Sequence, residues 1–139
     1  SDFIFITHYP SKKRPFYTMD DPSDPEYTLS FDLLFRGLEI TSGGQRIHDY
    51  NMQVEKMVKC GMNPEEFETY LMLHKYGAPP HGGLAFGLDR LAMLLSKTDS
   101  IKDVIAFPKV QTASCLMTSA PDVVEDKQLE ELYIKTTKK

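Results

Sequence analysis

Apolar residues in the first third of the chain follow the pattern of extended strands. Residues 3–7 form an apolar, β-rich run that predicts a first strand. A second β-like segment covers residues 30–41 and resumes at residues 45–48. We predict a strand interruption or a bulge at the serine–glycine–glycine triplet 42–44, because paired glycines weaken a strand ladder. Between the two segments, residues 20–27 are acidic and punctuated by proline, which predicts an exposed loop.

The middle of the chain predicts helices. Residues 51–59 carry one apolar stripe at helical spacing. Asn63 followed by Pro64 has the composition of a helix start, since asparagine caps free N–H groups and proline suits the first helical position. We expect that helix to stop at Gly77.

The last third mixes a short strand with further helices. A turn is predicted at residues 78–83 and a strand at 84–86. The next helix has its apolar residues at helical spacing: Leu88, Leu91, Ala92 and Leu95. A final helix is predicted for residues 126–136, trailing off in Lys138-Lys139, with three residues facing inward: Leu129, Leu132 and Tyr133. Strands and helices alternate without a regular βαβ order, which predicts the α+β class.

Composition narrows the class of protein. The 16 Lys+Arg and 20 Asp+Glu residues give a net charge of −4, so binding to nucleic acid through bulk charge is not expected. A length of 139 residues suits a single domain, 1–139, with its own core. Cys60 and Cys115 are too few for a disulfide framework, and we interpret both as free thiols. Neither a membrane-spanning run nor a signal peptide is recognisable, so we expect a cytoplasmic protein without membrane contact.

One candidate binding motif is the glycine-rich segment from His81 to Arg90. Glycines between a strand and a helix allow a ligand close to the backbone, and the helix start directs free N–H groups toward it. Arg90 lies one turn into the helix, where its planar guanidinium can pair with two phosphate oxygens. The alternative is an ordinary tight turn, with Asp89 at the helix start and Arg90 in a surface ion pair.

The second candidate motif covers residues 36–49. Glu39 lies between apolar neighbours on a predicted strand, where a carboxylate needs a cation as partner. Carboxylate and hydroxyl oxygens suit Mg²⁺, and Arg46 can bind a carboxylate through two hydrogen bonds. An internal salt bridge between Glu39 and an arginine is the alternative.

Together the two motifs resemble the catalytic core of class II aminoacyl-tRNA synthetases. Residues 86–90 match motif 3 of that class, and residues 39–49 resemble the aspartyl-tRNA synthetases in particular. The similarity extends over nearly the whole chain. Residues 14–19 are similar to archaeal and eukaryotic-type aspartyl enzymes, and residues 76–83 are similar to these and to bacterial enzymes alike. Residues 103–109 and 116–118 are more similar to the C-terminal tail of the bacterial enzymes. The resemblance implies an antiparallel β-sheet flanked by helices.

The resemblance also implies roles for individual residues. Glu39 would contact ATP and a Mg²⁺ ion, and Ser42 would share that ion while facing the amino acid. Arg46 is similar to the arginine that binds the side-chain carboxylate of L-aspartate. The ATP-binding turn would consist of Gly87, Leu88, Asp89 and Arg90, with the arginine on the triphosphate. The implied reaction is activation of L-aspartate by ATP to aspartyl-adenylate, followed by transfer to tRNA(Asp).

Several parts of such enzymes have no counterpart in residues 1–139. Motif 1 at the dimer interface, motif 2 with its phosphate-binding arginine, the aspartate-selecting lysine loop and the anticodon-binding domain are all missing. We therefore expect the chain to be the C-terminal part of the catalytic domain of a longer homodimeric enzyme, inactive by itself. An asparaginyl-tRNA synthetase, a non-catalytic binding paralogue and a fragment without its own function stay open as rivals.

The implied metal role makes a geometric demand on the strand. Side chains of a regular strand alternate, so Glu39 and Ser42, three residues apart, would point to opposite faces. Ser42 and Arg46, four residues apart, would share a face. We predict a bulge or a strand end between Ile40 and Gly43, because one extra residue brings Glu39 and Ser42 to the same side. Their oxygens are then expected to converge on a pocket that also receives Arg46 and Arg90.

Overall fold

The computed structural model describes residues 1–137; Lys138-Lys139, at the end of the predicted last helix, lie outside the described residues. The chain divides into two compact units, Ser1–Leu91 and Ala92–Lys139. That residues 1–139 fold as a single domain stays a prediction. Among the described residues, no helix has both the length and the apolar character needed to cross a bilayer.

The first unit is built on an antiparallel sheet. Its strands are β1 (Phe3–Thr7), β2 (Asp20–Asp21), β3 (Asp24–Thr28), β4 (Ser30–Phe35), β5 (Leu38–Arg46) and β6 (His81–Phe86). The main sheet has the order β1-β4-β5-β6, and β2 pairs with β3 in a separate ribbon. The predicted first strand is therefore confirmed at residues 3–7, whereas β6 begins three residues earlier than predicted.

The helices are α1 (Tyr50–Lys59), α2 (Glu68–Lys75), α3 (Leu88–Ser96) and α4 (Asp126–Glu131), with short 3-10 turns at Ser11–Lys13, Pro64–Phe67 and Ile101–Asp103. Asn63 caps as predicted, since its side chain accepts a hydrogen bond from the N–H of Glu65. Gly77 follows α2 with a φ of 92°, a conformation that ends helices and that glycine adopts without strain. Helices α1 and α2 pack together, and together with the sheet they confirm the α+β class.

The long β-like segment is a hairpin of β4 and β5 that turns at Arg36 and Gly37. The predicted interruption at residues 42–44 is wrong, because the strand pairing continues through these residues. Phe35 pairs with Leu38, and the two loop residues, Arg36 and Gly37, have φ values of 48° and 85°. Positive φ at both positions is the mirror-image turn that matches the twist of hairpin strands. Arginine is an unusual first residue for such a turn, which explains why the sequence pattern did not indicate it.

Gly43 lies in a regular ladder instead of a break. It pairs with Phe31 on one side and Leu84 on the other. A Cβ atom at this position would come 2.8 Å from the carbonyl oxygen of Gly83, the Cβ of Leu84 and the ring of Phe31. The glycine is therefore required by close approach of the neighbouring strands and not by an unusual backbone conformation.

Two further expectations are corrected by the structure. Residues 20–27, predicted as a loop, include the ribbon of β2 and β3, where Asp20 pairs with the buried Lys56 of α1. A buried lysine needs such a carboxylate, and the pairing holds the ribbon against the helix. Helix α4 ends at Glu131 and not at residue 136, and Leu132 and Tyr133 are 67% and 98% exposed instead of facing inward.

Candidate active site

One face of the sheet gathers the polar residues of β4 and β5. Leu33 pairs with Thr41 while Leu34 pairs with Glu39, so Ile40 is an extra residue in β5. Asp32 pairs with Ser42 in the same ladder. Because directly opposite residues share a face, and so do residues two apart on a strand, Glu39, Asp32 and Ser42 lie on one side of the sheet.

The predicted bulge is thus confirmed, at Ile40 itself and not within the serine–glycine–glycine triplet. Beyond it the ladder is regular from Thr41 to Arg46 along β6. Ser42 and Arg46 therefore also share a face. The single extra residue Ile40 is enough to bring Glu39 to that face as well.

At one end of this face, Glu39 contacts Arg90. The Nη1 atom of Arg90 donates to the Glu39 carbonyl oxygen at 2.6 Å and lies 3.2 Å from the carboxylate Oε1. The backbone N–H of Gly87 donates to the carbonyl of Ile40 at 2.9 Å, which fixes the start of α3 beside the bulge. Leu88 and Asp89 form the exposed first turn of that helix. The structure therefore brings Glu39 together with the whole predicted ATP-binding turn.

Further along the face lies a pocket of about 170 Å³ lined by Arg14, Ser42 and Arg46, among other residues. Glu39 and Arg90 are not among its lining residues, so the structure brings only two of the four predicted residues to this pocket. The Arg46 guanidinium lies over Gly83, where a Cβ atom would approach its Nη2 to 3.1 Å, and its central carbon is 5.3 Å from the Tyr17 ring. None of the ion pairs among residues 1–137 includes Arg46. Its positive charge is therefore available to a ligand.

Asp32 and Arg14 also belong to this site, and no pattern in the sequence indicated either of them. Asp32 accepts a hydrogen bond from the Ser42 hydroxyl at 2.7 Å and one from Arg14 at 2.9 Å. Burial raises the pKa of Asp32, but hydrogen bonds from Tyr9, Ser42 and Arg14 outweigh that effect and hold the pKa below its ordinary value. The hydrogen bond to Asp32 correspondingly raises the pKa of Tyr9. Asp32 is thus an ionised carboxylate next to the pocket.

The donor chemistry on this face suits a hard cation. Residues 1–137 contain no group of three or more histidine, cysteine or acidic side chains arranged around one point. A Mg²⁺ ion carried by a phosphate ligand does not need one, because it commonly binds only one or two carboxylates of the protein. The Glu39 side chain is 46% exposed and lies on the same face as Ser42, while its carboxylate contacts Arg90 and the Ser42 hydroxyl contacts Asp32. Carboxylate and hydroxyl oxygens are the donors that suit Mg²⁺.

Comparison with known proteins assigns the family. A family model described as tRNA synthetases class II (D, K and N) matches residues 1–111. The chain belongs to the class II tRNA synthetases. An aspartate–tRNA(Asp/Asn) ligase of Lachnoclostridium phytofermentans is 53% identical over 99% of the chain and 27% of the relative. The ligase of the same name from Aeropyrum pernix is 49% identical over 78% of the chain and 25% of the relative.

Solved class II tRNA synthetases share the fold. The aspartyl-tRNA synthetase of Entamoeba histolytica superposes with a TM-score of 0.74 at 38% identity, covering 81% of this chain and 23% of that one. The asparaginyl-tRNA synthetase of Pyrococcus horikoshii gives a TM-score of 0.72 at 35% identity, covering 78% and 26%. These matches confirm the predicted resemblance and the predicted sheet flanked by helices. The chain spans about a quarter of the length of the curated relatives it matches.

Proposed function

We propose that the chain is the C-terminal part of the catalytic domain of an aspartate–tRNA ligase. In this reaction an oxygen of the L-aspartate α-carboxylate attacks the α-phosphorus of ATP, the bond to the β-phosphate oxygen breaks, and pyrophosphate leaves with the electron pair. A hydroxyl group of tRNA(Asp) then attacks the carbonyl carbon of the aspartyl-adenylate, the bond to the phosphate oxygen breaks, and AMP leaves. Both steps are accelerated mainly by positioning and by neutralising charge.

The observation that carries this proposal is the uncompensated Arg46 guanidinium in the pocket beside Ser42. A planar cation of this kind suits the side-chain carboxylate of L-aspartate, which it can bind through two parallel hydrogen bonds. Contact with the Tyr17 ring supports a fixed orientation of Arg46. The Ser42 hydroxyl donates a hydrogen bond to Asp32 and accepts one from Arg14, so one lone pair of its oxygen remains for a ligand group.

For ATP we assign the part of the same face around Glu39 and Arg90. Arg90 would bind the triphosphate beside Gly87, Leu88 and Asp89, and Glu39 would bind ATP and, with Ser42, the Mg²⁺ ion. When bound, Mg²⁺ supplies neutralisation of phosphate charge. Glu39 and Arg90 neutralise each other, and both side chains are exposed enough to exchange partners, at 46% and 41%.

The remaining proposals concern the whole enzyme. We infer a longer homodimeric protein in the cytoplasm that binds tRNA(Asp) through parts outside these residues. The first test is the reading frame upstream of Ser1, where we expect motif 2 with its phosphate-binding arginine. Its absence would contradict the proposal.

The second test is aspartate-dependent ATP–pyrophosphate exchange by that longer protein. Arg46→Met is expected to raise the KM for L-aspartate by at least about tenfold, since it removes a charge-assisted pair. Arg36→Met is the matched control, because Arg36 is 69% exposed at the hairpin turn, where its ion pair is with Asp2. Exchange with L-asparagine and not L-aspartate would favour the asparaginyl rival, and no exchange with either would favour a binding paralogue.

A further inference from the structure

Arg14 connects the N-terminal segment to the floor of the pocket. It follows the 3-10 turn Ser11–Lys13, and its Nη2 and Nη1 atoms donate to Asp32 at 2.9 Å and to Ser42 at 3.3 Å. Its central carbon lies 3.8 Å from the centre of the Tyr9 ring. The side chain of Arg14 is 16% exposed and that of Asp32 only 9%, so the contacts are largely shielded from water. Arg14 is therefore held against the pocket and does not extend into solvent.

The charge on this side of the pocket follows from the pairing. Arg14 and Asp32 form a largely buried ion pair at 2.9 Å, so their charges neutralise each other. Arg46 is then left as the single uncompensated charge on the pocket wall. Without Arg14, the Asp32 carboxylate would lie beside Ser42 with no positive partner, and it would repel any carboxylate that approached Arg46.

We propose that Arg14 is a specificity-determining residue that neutralises Asp32, so that the pocket keeps one net positive charge for a ligand carboxylate. The inference rests on the proposed function, since it concerns the choice between the side-chain carboxylate of aspartate and the amide of asparagine. Arg14 acts through Asp32 and Ser42 and is not required to touch the ligand. The amide carries no charge, so its binding depends far less on this balance.

The experiment compares aspartate with asparagine in ATP–pyrophosphate exchange by the longer ligase. The readout is the ratio of kcat/KM for the two amino acids, in which any general loss of activity cancels. Arg14→Met is expected to lower this ratio by on the order of tenfold, and Arg14→Lys by less, because lysine keeps the charge but not the planar fork. The control Arg36→Met removes an arginine at an exposed turn and should leave the ratio unchanged.

A second variant predicts the opposite sign. Asp32→Asn removes the negative charge while Arg14 remains, so the ratio should rise, and the double variant Arg14→Met/Asp32→Asn should return it toward the unmodified value. Circular dichroism checks that each variant folds. If Arg14→Met does not fold, the direction in which Asp32→Asn changes the ratio still tests the proposal.

The outcomes separate the two proposals. If the unmodified ligase shows no exchange with aspartate, the proposed function fails, and the role of Arg14 falls with it. If exchange is present but Arg14→Met loses both amino acids equally, or Asp32→Asn lowers the ratio, the proposed function stands and the inference about Arg14 is overturned.

Discussion

The substitution Gly43→Ala tests the close approach of β4, β5 and β6. The added Cβ atom would lie 2.8 Å from the carbonyl oxygen of Gly83, the Cβ of Leu84 and the ring of Phe31. The first two belong to the backbone framework of β6 and cannot swing aside, so the strands must separate. Overpacking of this kind costs about 1–3 kcal/mol, and the reduced entropy of the unfolded chain returns about 0.4–1 kcal/mol. We expect a net loss of about 1–2 kcal/mol.

The assay is urea unfolding of the chain followed by far-UV circular dichroism. Gly87→Ala is the matched control, because the nearest atoms to its Cβ lie 3.4–3.6 Å away and all belong to the flexible Arg90 side chain. That variant should stay within about 0.5 kcal/mol of the unmodified chain. A Gly43→Ala variant as stable as Gly87→Ala, with an unchanged dependence on urea, would refute the packing argument.

Three further predictions concern charge, activity and association. Because the pKa of Asp32 is lowered in the folded chain, its ionised form contributes stability above the unfolded value of about 3.9, and this is lost as the pH falls toward the folded pKa. The stability difference between the unmodified chain and Asp32→Asn should therefore shrink below about pH 4 in urea unfolding; a difference independent of pH would contradict this. Residues 1–139 alone should show only background aspartate-dependent pyrophosphate exchange, since they lack motif 2; exchange clearly above a protein-free blank would argue otherwise. The edge strand β1 exposes four apolar side chains, at 39–63%: Phe3, Ile4, Phe5 and Ile6. The isolated chain should therefore self-associate, and Ile4→Lys should weaken the association measured by sedimentation. A strictly monomeric unmodified chain at high concentration would exclude this prediction.

Local signals in the sequence predicted the elements whose cause is itself local. The cap at Asn63 and the helix end at Gly77 depend on residues within one turn, and both are confirmed. The hairpin at Arg36 and Gly37 depends on a turn whose first residue carries no characteristic signal. Gly43 was misinterpreted because glycines at a strand break and glycines at a close strand approach have the same composition. Only the neighbouring strands distinguish the two cases.

The bulge was predictable for a different reason. It follows from requiring Glu39 and Ser42 on one face, which is a demand of the implied function and not of any local pattern. The structure satisfies that demand with the extra residue Ile40, whose composition gives no sign of a bulge. The requirement that Glu39 and Ser42 share a face therefore indicated this irregularity better than the glycine pair did.

The two strand carboxylates, Asp32 and Glu39, differ in their exposure and in their partners. A carboxylate between apolar neighbours needs a cation, and this reasoning was applied to Glu39 but holds equally for Asp32. Their partners differ in consequence: Asp32 is 9% exposed and fixed by Arg14, whereas Glu39 is 46% exposed and held by Arg90 at the surface. An exposed pair contributes little stability and can exchange partners, while breaking a buried pair leaves an uncompensated charge. Glu39 is therefore the carboxylate available to a ligand, and Asp32 is the one that sets the charge of the pocket.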